Sequence, residues 1–195
     1  MTEYNIPNTV TTIGDVPFVN AGNVTISFGQ ATITSIGTFE RVLDRMSGNV
    51  TLIIQEGTTT IPNKAFYDET TTDSFKITNI ILPSTLQTIG NYAFGKIRAT
   101  SVVIPEGVTT IGENAFANAT IQSISLPSTL TTLGNNAFSG CASLKTIQMA
   151  QRTEQQPAFS KTFADLGIGS YTWYNSTGVA TTLASSTSAK LTYGR

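Results

Sequence analysis

The chain has 195 residues, a formal charge of −1 from 11 basic and 12 acidic side chains, no histidine and one cysteine. Without histidine there is no Ser-His-Asp triad, Cys-His pair or histidine-ligated zinc, and a single cysteine closes no intramolecular disulfide. No basic stripe exists to neutralise phosphates and no run of 18 apolar residues exists to span a bilayer, so neither nucleic-acid binding nor membrane insertion is expected.

Fifty-one residues are serine or threonine, 34 of them threonine, which favours half-buried pleated surface over helix. In chain order, the first twenty residues have neither a basic n-region nor an apolar h-region, so they are not a secretory signal peptide. The expected location is therefore cytoplasm or a virus particle, or the cell surface only where a signal has been removed. Pro7–Gly14 echoes a motif found later, at Pro105–Gly112, and reads as a degenerate half-repeat. Asn23–Phe28 and Ala31–Ile36 alternate in polarity around Gly29-Gln30, which suits a two-residue hairpin. Thr38 can cap a helix whose Phe39, Val42, Leu43 and Met46 fall at helical spacing, with Gly48 to stop it. These elements are expected to form an N-terminal cap over residues 1–49, and Val50–Ile54 the first strand of a parallel sheet.

From there the sequence repeats itself. Pro83–Ile104, Pro105–Leu126 and Pro127–Met149 align almost residue for residue, and their Ala-Phe pairs end at Phe94, Phe116 and Phe138, 22 residues apart. An earlier copy ends at Phe66, 28 residues before Phe94, and its surplus falls in a loop that contains Asp68, Glu69 and Asp73. Within a copy, a short strand such as Val102-Val103-Ile104 is stopped by Pro105, since proline cannot donate to a ladder. A turn and a second extended piece, Val108–Ile111, follow; Gly112 bends the chain and Ala115-Phe116 points inward. Each copy offers about six apolar side chains that it cannot bury alone, so the copies must stack into a solenoid. Repeats are expected over 50–149. After Met149 the period is lost, and residues 150–195 read as a C-terminal cap or extension, with Tyr171–Tyr174 and Val179–Leu183 as a closing strand pair.

The pattern L-x-x-I-G-x-x-A-F-x-x-C-x-x-L-x-x-I-x-x-P resembles the BspA-like leucine-rich repeats of the Treponema pallidum type. It is met most fully by Leu130, Leu133, Gly134, Ala137, Phe138, Cys141, Leu144 and Ile147, and the resemblance covers roughly residues 55–149. The copies depart from it at Gly95-Lys96-Ile97 and Ala117-Asn118-Ala119, where the family often has cysteine, and are one residue short of its usual length. The resemblance implies a mainly β solenoid, a curved stack with a parallel sheet on its concave side. It also implies surface attachment or protein binding rather than catalysis.

No catalytic set, metal set or cofactor motif emerges. Cys141 lies where the family places an inward cysteine, and no histidine exists to activate it. The acidic loop residues lack the spacing and glycine of a calcium loop, and Gly167-Ile-Gly169 lacks the Lys-Ser/Thr of a phosphate cradle. Four Asn-x-Ser/Thr triplets, at Asn23, Asn49, Asn118 and Asn175, are what a threonine-rich chain yields by chance. The better candidate is a surface: between the inward apolar residues, Ile53, Asn79, Ile81, Ser101, Val103, Ser123, Ser125, Thr146 and Gln148 would line the concave face. Ile53, Ile81 and Val103 would make an apolar patch, and Tyr171, Trp173 and Tyr174 a second anchor or a lid on the last coil. Two functions fit: a module binding another protein or a surface glycan, and a structural component of a virion, homo-oligomer or larger assembly.

Overall fold

The computed structural model describes residues 1–7, 9–10, 21–29, 48–67 and 76–150, and the backbone of four further strands at 159–162, 171–174, 180–183 and 190–193. Among the described residues there is no helix. The chain winds through coils, and those over residues 50–133 each place one strand in a long-stranded face and a two-residue strand in a second face.

The long-stranded face contains β1 (Thr2–Asn5), β2 (Val24–Phe28), β3 (Val50–Ile54) and β5 (Ile77–Ile81), hydrogen-bonded in that order and all parallel. A second group, β7 (Ser101–Val103), β9 (Ser123–Leu126) and β11 (Thr146–Met149), is likewise parallel and leads to β13 (Tyr171–Tyr174), which pairs antiparallel with β14 (Ala180–Leu183). The other face is the parallel ladder β4 (Thr60–Ile61), β6 (Thr88–Ile89), β8 (Thr110–Ile111) and β10 (Thr132–Leu133). Strands β12 (Phe159–Thr162) and β15 (Lys190–Tyr193) form a separate antiparallel pair.

Each coil follows from its residues. Alternation puts Val50, Leu52 and Ile54, or Ile124 and Leu126, into the interior, and in the later coils Pro83, Pro105 or Pro127 after the strand turns the chain toward the short-stranded face. Gly112 is there because the coils nearly touch: a Cβ would sit 2.6 Å from the Asn91 backbone nitrogen. Next the chain passes through a left-handed residue, Lys64, Tyr92, Asn114 or Asn136, with φ of 58°, 56°, 53° and 56°. Asparagine tolerates this region; lysine and tyrosine hold it because the stack dictates it. Phe66, Phe94, Phe116 and Phe138 follow, fully buried, with centroids 5.5, 5.5 and 5.9 Å apart and planes within 8°, 19° and 23°. Offset stacking at this distance adds roughly 0.5–1.5 kcal/mol per pair beyond burial.

Two expectations change. Asn23–Phe28 does not form a hairpin with the segment that follows it, because both edges of β2 are taken by parallel neighbours, β1 and β3. Val50–Ile54 is accordingly the third rung of the sheet rather than its first. The expected partner strand Ala31–Ile36, the helix from Thr38, the acidic loop residues and Gly167–Gly169 lie outside the described residues.

Candidate functional site

Because neighbouring strands are in register, outward side chains of the long-stranded face fall into rows. One row runs Asn5, Ser27, Ile53 and Ile81, then Val103, Ser125, Gln148 and, by backbone register, Tyr174. The row beside it runs Glu3, Thr25, Thr51 and Asn79, then Ser101, Ser123, Thr146 and Thr172. The structure therefore gathers onto one surface the residues expected to line a binding face. Ile53, Ser123, Ser125 and Thr146 are half-buried, while Asn79, Ser101 and Gln148 are exposed. Ile81 is 48% exposed and Val103 66%, and apart from Met1 they are the exposed large hydrophobic residues among those described. Tyr171, Trp173 and Tyr174 belong to β13, which extends this sheet beyond β11, with Trp173 opposite Ile147 and Tyr174 opposite Gln148.

The polar part of the face is tied across coils. The Ser123 hydroxyl donates to Ser101 Oγ at 3.2 Å, and Ser125 Oγ donates to Gln148 Oε1 at 3.5 Å. Beside Val103 an open groove of about 260 Å³ passes Pro105, Ser125, Leu126 and Pro127 toward Gln148 and Ala150. The prolines that end successive strands build its floor and rim. That signal lies in the sequence as a repeated strand-end proline, yet alternation alone singled out only the strand residues.

The corner beyond the groove carries a second arrangement. Glu106 accepts from the Ser128 backbone N–H at 3.0 Å and from its hydroxyl at 2.8 Å, while the Gly107 N–H donates to Thr129 Oγ1 at 3.0 Å. Glu56 and Gly57 bind Ser84 and Thr85 in the same way, at 2.9, 3.0 and 3.0 Å. The Ser84 N–H leads the effects that hold the Glu56 carboxyl below its usual 4.5, partly offset by desolvation. At the first coils Gln55 Nε2 donates to Asn5 Oδ1 at 2.7 Å and to Ser27 Oγ at 2.9 Å, stitching three rungs together.

Cys141 is buried, and its thiol donates to the Phe116 carbonyl at 3.0 Å. Burial pushes its pKa up to about 11, against a weaker opposing backbone hydrogen bond from Ala119, so the thiolate is scarce at neutral pH. It occupies the corner filled by Ile97 and Ala119 in the preceding coils, both buried. The role is packing.

The sequence profile of the BspA type leucine rich repeat region matches residues 1–79 and 59–186, in six copies. The chain belongs to this family. The match includes the first two rungs, β1 and β2, as well as the regular copies. Curated proteins include no match. A similar solved structure is a leucine rich cell surface protein from Faecalibacterium prausnitzii A2-165, 20% identical, with a TM-score of 0.34 over 80% of this chain. The chain spans 63% of the length of that protein. Membership of the BspA type family suggests a protein-binding or adhesion module, and its fold is typically used without catalysis.

Proposed function

We propose that the chain binds another protein through the outward face of its long-stranded sheet, with the contact centred on Ile81 and Val103. The observation that carries this reading is the exposure of two large aliphatic side chains at equivalent positions of successive coils, beside a groove lined by proline and leucine. Elsewhere on the described surface the outward strand positions are mostly hydroxyl or amide groups. Exposed apolar groups set in a polar rim are the usual make-up of an interface centre. Asn79, Ser101, Ser123 and Ser125 would supply the rim, Ile53 the half-buried margin, and the strand Tyr171–Tyr174 would lengthen the surface at its far end. Reaction chemistry has no place in this reading, since the face holds no paired acid and base.

A displayed library of random linear peptides, panned on the immobilised protein, tests the proposal. Peptides rich in aliphatic and aromatic residues should be enriched by the wild-type chain. Ile81→Asp with Val103→Asp should abolish that enrichment while leaving the melting temperature within a few degrees. Equal enrichment by wild type and double variant sinks this placement of the site.

A further inference from the structure

The corner bonds alternate along the stack. Glu56-Gly57 grips Ser84-Thr85 of the next coil, and Glu106-Gly107 grips Ser128-Thr129. Between those two pairs, no hydrogen bond among the described residues joins Ser84 or Thr85 to Glu106 or Gly107. The same seam is where the long-stranded sheet is broken, because β5 is not paired with β7 although β3 pairs with β5 and β7 with β9. On the other edge of β5, an irregularity shifts its register against β3 beside Thr78. Ile80 and Leu82, which face the interior from β5 and its end, are only partly buried, whereas their counterparts Val102 and Ile104 are buried. Ile81 and Val103, the exposed pair, stand on opposite sides of this seam.

One backbone bond crosses at the entry to this gap, from the Arg98 N–H to the Ile77 carbonyl of β5 at 2.9 Å, and the others lie around the Phe corner and on the far side. Strand β6 pairs with β8, Phe94 stacks on Phe116, and the Gly112 N–H donates to the Ile89 carbonyl at 2.8 Å. Since no ladder bonds join β5 to β7, the long-stranded side can swing open about the short-stranded side once the single Arg98–Ile77 bond parts.

We infer that the solenoid is assembled from locked pairs of coils, and that the seam between β5 and β7 is a hinge that opens the long-stranded face and pivots about the side where β6 pairs with β8. The two gripped coil pairs move as units on either side. A ligand that touches both Ile81 and Val103 bridges the hinge and stiffens it, whereas one that touches either alone does not. The hinge itself rests on the hydrogen-bond pattern and stands whether or not this face binds a partner.

Hydrogen exchange on the native full chain decides the matter through two equivalent amides beside the long-stranded face. The Arg98 N–H donates to the Ile77 carbonyl at 2.9 Å at the entry to the unpaired seam, and the Thr120 N–H donates to the Ile97 carbonyl at 3.0 Å at the entry to the paired seam of β7 and β9. Opening of the hinge parts the first bond and spares the second, so the Arg98 amide should exchange about tenfold or more faster than that of Thr120 once intrinsic rates are divided out, while Gly112, on the pivot side, stays protected. In a Cys141→Ala background, a disulfide between Ile81→Cys and Val103→Cys should slow Arg98 by a similar factor. One between Ser101→Cys and Ser123→Cys, across a gripped seam, should leave it unchanged. Arg98 exchanging as slowly as Thr120 in the unmodified chain overturns the hinge, as does indifference to a formed cross-seam disulfide.

Discussion

Two files of residues run along the same coils and obey opposite rules. The interior file reads Phe66, Phe94, Phe116, Phe138 without change, each ring buried and stacked on the next. The outward file on the long strands reads Ser27, Ile53, Ile81, Val103, Ser125, Gln148, a different chemistry every rung or two. A ring in the stack must fit the ring above and the ring below, so any departure is felt by two neighbours. An outward side chain answers mainly to solvent and to whatever docks on it. Invariance therefore marks the scaffold, and variation within a fixed register marks the surface where specificity can be written.

Breaking the interior file should have the largest effect. Phe116→Ala empties a site with a ring on either side and should cost ~3–5 kcal/mol in urea melts; a loss under ~1 kcal/mol would remove the ring from the core. Thr58 sharpens the contrast from inside, because it occupies the position that is Leu86, Val108 and Leu130 in later coils and its buried hydroxyl has no hydrogen-bond partner. Thr58→Val should raise stability by about 1 kcal/mol, read as a higher denaturation midpoint. At the corner, Glu56 has its folded pKa depressed, so its contribution is complete above the ordinary carboxylate value and fades as pH falls through the folded value. Melting temperatures of wild type and Glu56→Gln should differ by a steady amount from pH 7 to about 5.5 and converge in more acid solution; a gap that does not shrink would show the bond to Ser84 to be irrelevant. The smallest effect belongs to the outward file. Val103→Ser, which copies the next rung, should change stability by no more than ~0.5 kcal/mol.

Much of this architecture was legible because it is local and repeated. Proline at strand ends, glycine at the bend and the Ala-Phe pair recur at a fixed interval, and that period predicts both the stacking and the inward set. The first rungs are less legible for a definite reason: alternation in Val24–Phe28 is the same in a hairpin and in a parallel rung, and Gly29-Gln30 looks like a turn. A better signal was present, since Gly22-Asn23-Val24-Thr25 recurs as Gly48-Asn49-Val50-Thr51. The stacked pair is held by the Asn49 N–H donating to Asn23 Oδ1 at 2.9 Å, and a Cβ on Gly48 would meet the Gly22 backbone. The candidate surface was legible as a list of outward positions, whereas the groove was not, because its prolines belong to adjoining coils and meet only in space. Nor could the unpaired seam be read from residue types, since β5 carries the same alternation as its paired neighbours.

The alternation of the corners also sets how such a chain can change length. Inserting or deleting one coil would bring two glutamate corners, or two serine corners, face to face, leaving carboxylates without donors or donors without carboxylates. Adding or removing two coils together preserves every grip. The heritable unit of growth is thus the gripped pair, and shuffled or engineered relatives of this chain should lengthen in even steps.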